Sequence, residues 1–196
     1  FVPYSAPYMG GGGGYAWSSA IAVVPERLYN ITGDARFIDL AFLALVKWIG
    51  YCEAHSENDL PARSEESWQL GDWLSPEVCA FDLSLMNACW YYYSVATAER
   101  FAEIKGETEL NKKFAEQKKK IAAAINEKYL DRERAIYGSG VQGENIFPLY
   151  LGIVPENVKE KLIRGVRESY EKSGYAIDTG IVITGILFKT LADNGM

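Results

Sequence analysis

The sequence predicts an all-α protein built from antiparallel helical hairpins. Three observations carry this: apolar residues recur at helical spacing in seven segments, no segment alternates like a strand, and short and long connectors alternate. With 196 residues and 48% hydrophobic content the chain can bury one sizeable core, so its length favours one domain or a large piece of one.

The first predicted helix covers Trp17–Thr32 and carries Pro25 near its middle, where a lost hydrogen bond must kink the helix or split it in two. Gly33 can take the left-handed conformation that stops this helix, and Asp34 can cap the next, Asp34–His55. In that second helix Phe37, Ala41, Ala44, Trp48 and Cys52 form one apolar stripe. Ile38, Phe42, Leu43 and Val46 make the other side apolar too, so it is expected to be covered on both sides. The third helix, Asp82–Lys105, contains Trp90-Tyr91-Tyr92-Tyr93, whose members point in different directions and read as packing residues. Thr108–Leu130 is amphipathic, with Leu110, Phe114, Ile121 and Ile125 opposite the solvated run Lys118-Lys119-Lys120. Shorter helices follow at Ile146–Ile153, Pro155–Lys172 and Thr179–Asp193.

Gly106 with Thr108, and Val154 with Pro155, make further tight joints. Ser56–Phe81, Asp131–Asn145 and about Ser173–Asp178 are long connections. In an up-and-down array all long loops fall at one end, which gathers Gly10–Gly14, Trp17, Asp72, Trp73, Gln142, Glu144 and Asp178 onto one rim.

Composition excludes several classes. A net charge of −6 with pI near 5.0 offers no attraction to nucleic acid or an anionic membrane, and no apolar run approaches the roughly 20 residues of a span. Cys52, Cys79 and Cys89 lack metal-ligand spacing and read as mostly buried free thiols. The single His55 reads as a surface residue held by carbonyl dipoles at a helix end. No lysine-serine or lysine-threonine pair follows Gly10–Gly14, so these glycines are not a nucleotide loop but a leading loop over residues 1–14. The start at Phe1, without methionine or leader, reads as a cut from something longer, and no residue identifies a compartment.

The segment Ser67-Trp68-Gln69-Leu70-Gly71-Asp72-Trp73-Leu74-Ser75-Pro76 places indole rings around a carboxylate in a long polar loop. Ring faces pack on sugar C–H surfaces while a carboxylate accepts hydroxyl protons, so carbohydrate is the ligand class this pattern suits. The same residues also read as a turn with Asp72 capping the following backbone. Trp17-Ser18-Ser19 reads equally as a helix start, and Asp178-Thr179-Gly180 as a helix cap.

Taken in order, Tyr15-Ala16-Trp17-Ser18-Ser19-Ala20, Pro25-Glu26-Arg27-Leu28-Tyr29, Thr32-Gly33-Asp34, Gly71-Asp72-Trp73-Leu74 and Thr179-Gly180-Ile181 form a series. This series resembles the catalytic domain of bacterial α-L-rhamnosidases of glycoside hydrolase family 78, over nearly the whole chain from about Gly13. The resemblance implies an (α/α)6 toroid of six hairpins, of which residues 1–196 supply about seven helices of twelve. It also implies hydrolysis of terminal α-L-rhamnosides with inversion. Trp17 matches the aromatic after the family's glycine-rich loop, and Asp72 and Trp73 match its glycine-aspartate-tryptophan motif; all three are implied substrate contacts. Many relatives carry an aspartate where this chain reads Ser18-Ser19.

Inversion needs an acid and a base carboxyl roughly 6.5–9.5 Å apart. In the family the acid lies upstream, ending glutamate-arginine-x-glycine-tryptophan, and the base lies downstream of the threonine-glycine motif. Neither segment is present; Glu65-Glu66 only echoes the first, so no catalytic residue is assigned and the isolated chain is expected to be inactive. The expected partner is a rhamnoside. No cofactor is implied, although calcium on rim carboxylates is compatible with the acidic loops. An open arc of hairpins exposes apolar flanks, which predicts self-association. Another (α/α)6 sugar hydrolase or lyase, or a non-catalytic helical-hairpin scaffold, are the alternative functions.

Overall fold

The computed structural model describes residues 14–62, 71–76 and 81–196. Glycines 10 to 13, Glu65, Glu66, Trp68, Glu77 and Cys79 lie outside the described residues. Helices dominate the remainder: α1 (Gly14–Ser18), α2 (Ala20–Thr32), α3 (Arg36–Ala54), α4 (Leu83–Lys105), α5 (Thr108–Tyr129), α6 (Gln142–Leu151), α7 (Glu156–Lys172) and α8 (Ile181–Asp193). Two antiparallel ladders interrupt the connectors, β1 (Ser56–Glu57) with β2 (Leu60–Pro61) and β3 (Leu130–Asp131) with β4 (Ile136–Tyr137). The all-α expectation holds, with these ladders as the local exception.

The chain divides into two compact units, Phe1–Leu70 with Trp90–Ala124, and Gly71–Cys89 with Ile125–Met196. In the first unit α2 and α3 form a hairpin, and Gly33 closes α2 at φ 69°, donating its N–H to the Tyr29 carbonyl. Asp34 accepts the Arg36 N–H and guanidinium, which holds its carboxyl below the usual value. The first predicted helix is split, but at Ser19; Pro25 sits buried inside α2. Helix α3 buries Ile38, Phe42, Leu45, Ile49 and Cys52 on one face only. Leu40 and Leu43 are exposed, against the expectation of cover on both sides. The helix enclosed on nearly all sides is α4, where Trp90, Tyr91 and Tyr93 are packing residues as expected.

Glu26 of α2 accepts the Tyr93 hydroxyl and pairs with Arg100, which also donates to Asn30 (2.7 Å) and lies over the Tyr29 ring. That network explains the Pro25–Tyr29 motif as an anchor of α2 on α4. Helix α5 is amphipathic as predicted, with Phe114 and Ile121 buried, while Lys118 pairs with Glu99 and Lys119 with Glu116.

In the second unit α6 packs on α7 and α8, burying Ile146, Phe147, Val158, Leu162, Ile183 and Leu187. Helix α6 starts at Gln142, four residues before the predicted start, so Gln142 and Glu144 belong to a helix and not to the loop before it. Cys52 and Cys89 are buried free thiols whose acidity burial suppresses. His55 is exposed at the end of α3, stacked on Tyr51 with Nδ1 2.8 Å from the Tyr51 carbonyl.

Candidate functional site: a loop clamped on a helix start

Asp72 is buried, and its carboxylate is spent on the backbone of α8. Oδ2 accepts the Gly180 N–H at 2.7 Å, and Oδ1 accepts those of Val182 and Ile183 at 3.1 Å each. The remaining amide of that turn, Ile181, donates to the Trp73 carbonyl at 2.7 Å. All four amides left open by a helix start are therefore satisfied by two consecutive loop residues. Burial raises the Asp72 pKa above its ordinary value, and the three amide donors pull against that rise.

Gly180 makes this approach possible. A Cβ there would lie 2.2 Å from the Asp72 carbonyl oxygen and 2.4 Å from that of Trp73. The Gly71-Asp72-Trp73 and Thr179-Gly180-Ile181 motifs are thus two halves of one contact, although 108 positions separate Asp72 from Gly180. Trp73 keeps about half its surface exposed, 50%, and the next residue, Leu74, holds φ at 63°. A non-glycine residue in that region stores strain, a common feature of ligand-binding loops.

Two side chains of α6 hold the neighbouring segments. Gln142 donates to the Ala176 carbonyl (2.8 Å) and accepts the Asp178 N–H (3.2 Å), fixing the approach to α8. Glu144, 1% exposed, accepts from Asp82 N–H (3.0 Å), Ser139 N–H (2.7 Å) and hydroxyl (2.9 Å), and Gly140 N–H (3.0 Å). Gly138 lets the carboxylate close in, since a Cβ there would lie 2.7 Å from it. Asp82 in turn caps α4 through Ser84 and Leu85. Asp72, Trp73, Gln142, Glu144 and Asp178 are therefore all set on the connectors and helix starts of the second unit.

Trp17 belongs to the first unit, partly buried in α1. The following Ser19 is buried, its hydroxyl bonded to the Tyr15 carbonyl (2.7 Å) and 3.2 Å from the Ser94 hydroxyl. Ser19 thus ties the α1–α2 turn to α4.

The family model for the bacterial alpha-L-rhamnosidase 6 hairpin glycosidase domain matches residues 1–196. The chain belongs to this family. Among curated relatives, the alpha-L-rhamnosidase of Alteromonas sp. (strain LOR) is 23% identical over 91% of this chain and 20% of its own. A solved structure of alpha-L-rhamnosidase from Dictyoglumus thermophilum superposes with a TM-score of 0.86 at 26% identity, covering 98% of this chain and 22% of that one. The Streptomyces avermitilis alpha-L-rhamnosidase complexed with L-rhamnose matches with a TM-score of 0.83 at 24% identity, over 97% of this chain and 18% of that one. The rhamnosidase-family chain thus spans about a fifth of the length of the curated relatives it matches.

The six-hairpin family assignment agrees with the motif series read from the sequence. What that reading misses is the coupling: beside Asp72 as a substrate contact it offers only a cap on the turn that follows Asp72, and for α8 a cap from Asp178-Thr179-Gly180. In this chain Asp72 caps α8 instead. The signal was present in Gly180-Ile181-Val182-Ile183, a helix start whose own N-cap, Gly180, has no side chain. Glu144 carried no sequence signal beyond its loop-like surroundings.

Proposed function

We propose that this chain is the central part of an α-L-rhamnosidase whose parent protein removes terminal α-L-rhamnose with inversion, and that Trp17, Asp72 and Trp73 serve its sugar pocket. The observation carrying this reading is the clamp that holds a half-exposed Trp73 indole on a rigid helix start, in a chain of the rhamnosidase family. An indole face presented this way offers an apolar platform for a deoxysugar, whose methyl group enlarges its C–H surface. A carboxylate has about four acceptor positions. Asp72 uses three on α8, so its share in sugar binding is one hydrogen bond at most and its larger effect is to position Trp73.

General acid–base hydrolysis by inversion requires two carboxyls supplied from outside this chain, so the isolated polypeptide does not turn over. Its exposed apolar side chains drive self-association.

In the parent protein, Trp73→Ala raises KM for an aryl α-L-rhamnoside by about five- to thirtyfold, which corresponds to about 1–2 kcal/mol for a lost aromatic contact. Proton NMR of the first-formed rhamnose reports the anomer opposite to the substrate. Unchanged kinetics in the variant reject the assignment of Trp73, and a retained anomer rejects inversion.

A further inference from the structure

The turn that ends α8 carries Asn194-Gly195, the dipeptide in which an asparagine side chain is most open to attack by the backbone. The Gly195 nitrogen can bond to the Asn194 side-chain carbonyl carbon while the C–N bond of the amide breaks and ammonia leaves. Water then opens the five-membered imide at either carbonyl, leaving aspartate or isoaspartate at that position. Glycine offers no Cβ to hinder the closure. Ring closure also needs the Gly195 nitrogen on the same side of the Cα–C bond as the Asn194 Cβ. At ψ 20° it is turned to the far side, so the folded turn does not react.

Three hydrogen bonds hold that arrangement. Asn194 Nδ2 donates to the Thr190 carbonyl (2.8 Å), the Gly195 N–H to the Ala192 carbonyl (3.1 Å), and Arg167 Nη2 of α7 to the Gly195 carbonyl (2.9 Å). The first two are local bonds of a helix end, which frays on its own. Of the three, the Arg167 bond alone reaches another element, so it governs how often the turn opens. A groove of about 450 Å³ lined by Arg167, Leu191 and Gly195 lies beside the turn and admits the water that opens the imide. We propose that Asn194 is a spontaneous modification site, converted to aspartate or isoaspartate at a rate that Arg167 gates. The conversion runs one way. A carboxylate cannot donate to the Thr190 carbonyl, and at this position it stands beside Asp193 at the negative end of the α8 dipole. Isoaspartate further adds a main-chain carbon, which shifts Gly195 out of register with Ala192 and Arg167.

The test follows the peptide carrying Asn194 by mass spectrometry while the parent protein is incubated in mildly alkaline buffer, folded and in urea. The amide-to-acid mass change, split between two chromatographic isomers, identifies the conversion. In the folded protein it runs about tenfold or more slower than in the unfolded chain, as a reaction gated by local opening requires. Arg167→Leu, an exposed change, speeds the folded reaction about three- to tenfold and leaves the unfolded rate alone, the effect of one lost hydrogen bond on opening. In Asn194→Asp, which carries the product's carboxylate, the Gly195 amide exchanges hydrogen faster while amides of α6 keep their protection. Unchanged exchange there refutes the one-way step. Folded rates that are equal in Arg167→Leu and the unsubstituted protein, whether both fast or both nil, overturn the proposal. So does a folded rate that matches the rate in urea. The readout is mass rather than turnover, so either outcome leaves the reading of Trp73 standing.

Discussion

Gly180 tolerates no side chain, although its backbone, at φ −81° and ψ −172°, suits any residue. The constraint is the Asp72–Trp73 backbone pressed against its Cα, so Gly180→Ala cannot be relieved by a rotamer change. It forces the loop away and breaks the amide bonds that Asp72 accepts. We expect a cost of about 3 kcal/mol, the upper end of overpacking penalties, read as a lower urea midpoint. Asp72 itself titrates with a sign that can be checked. Because burial holds its folded pKa above the ordinary value of 3.8, the folded state keeps the proton longer than the unfolded chain. Its contribution to stability is therefore full below pH 3.8 and declines as pH rises through the raised value. Asp72→Asn removes that slope, while its amide group leaves the Gly180 N–H facing another donor, at a cost of about 1–3 kcal/mol at neutral pH. Equal pH slopes in urea titrations of both proteins would contradict the raised value.

At the scale of elements, Glu144 joins pieces that no local rule connects. One carboxylate of α6 receives the amide preceding α4 and two amides of the turn after β4. Glu144→Gln keeps the shape but turns an NH2 group toward donors on one side. The expected result is about 1–3 kcal/mol of destabilisation, with faster hydrogen exchange at Ser139, Gly140 or Asp82 and unchanged protection in α7. The helices themselves were legible because a 3.6-residue period is local, and Gly33 was legible because a left-handed stop needs one residue type. The β1–β2 ladder was not, because strands of two residues are too short to alternate. Its signal lay in Asn58-Asp59, both at positive φ as a tight hairpin turn requires. The start of α6 was missed because Gln142-Gly143-Glu144 reads as a polar loop, its polarity being absorbed by distant backbone groups. Gly143 is there because a Cβ would meet the Phe81 ring at 2.8 Å. In the candidate site, Asp72 and Trp73 were picked out by residue type, whereas the partner of Asp72 lay 108 positions away, beyond any pattern a window can hold.

At the scale of the whole molecule, apolar side chains remain uncovered in each unit. Ile31, Leu40 and Leu43 of the first are at least 73% exposed, and Phe188 and Tyr175 of the second are 64% and 71% exposed. Leu40 and Leu43 lie on the face of α3 opposite its buried stripe, so α3 has an apolar residue set for a second contact that the described residues do not supply to it. Covering a Leu contributes about 1.5–3 kcal/mol, and several such side chains together outweigh much of the entropy of association. The 196-residue polypeptide is therefore expected to sediment as a dimer or larger species at micromolar concentration. The contact can be assigned to a unit by charge. Leu40→Glu with Leu43→Glu removes the α3 face and Phe188→Glu the α8 face, and neither change touches a buried side chain, so helicity by circular dichroism stays the same. Whichever variant sediments as a monomer identifies the face that drives assembly. A wild-type chain that is monomeric over the whole concentration range would mean that these side chains are held apart by their polar neighbours, and self-association would then have no basis.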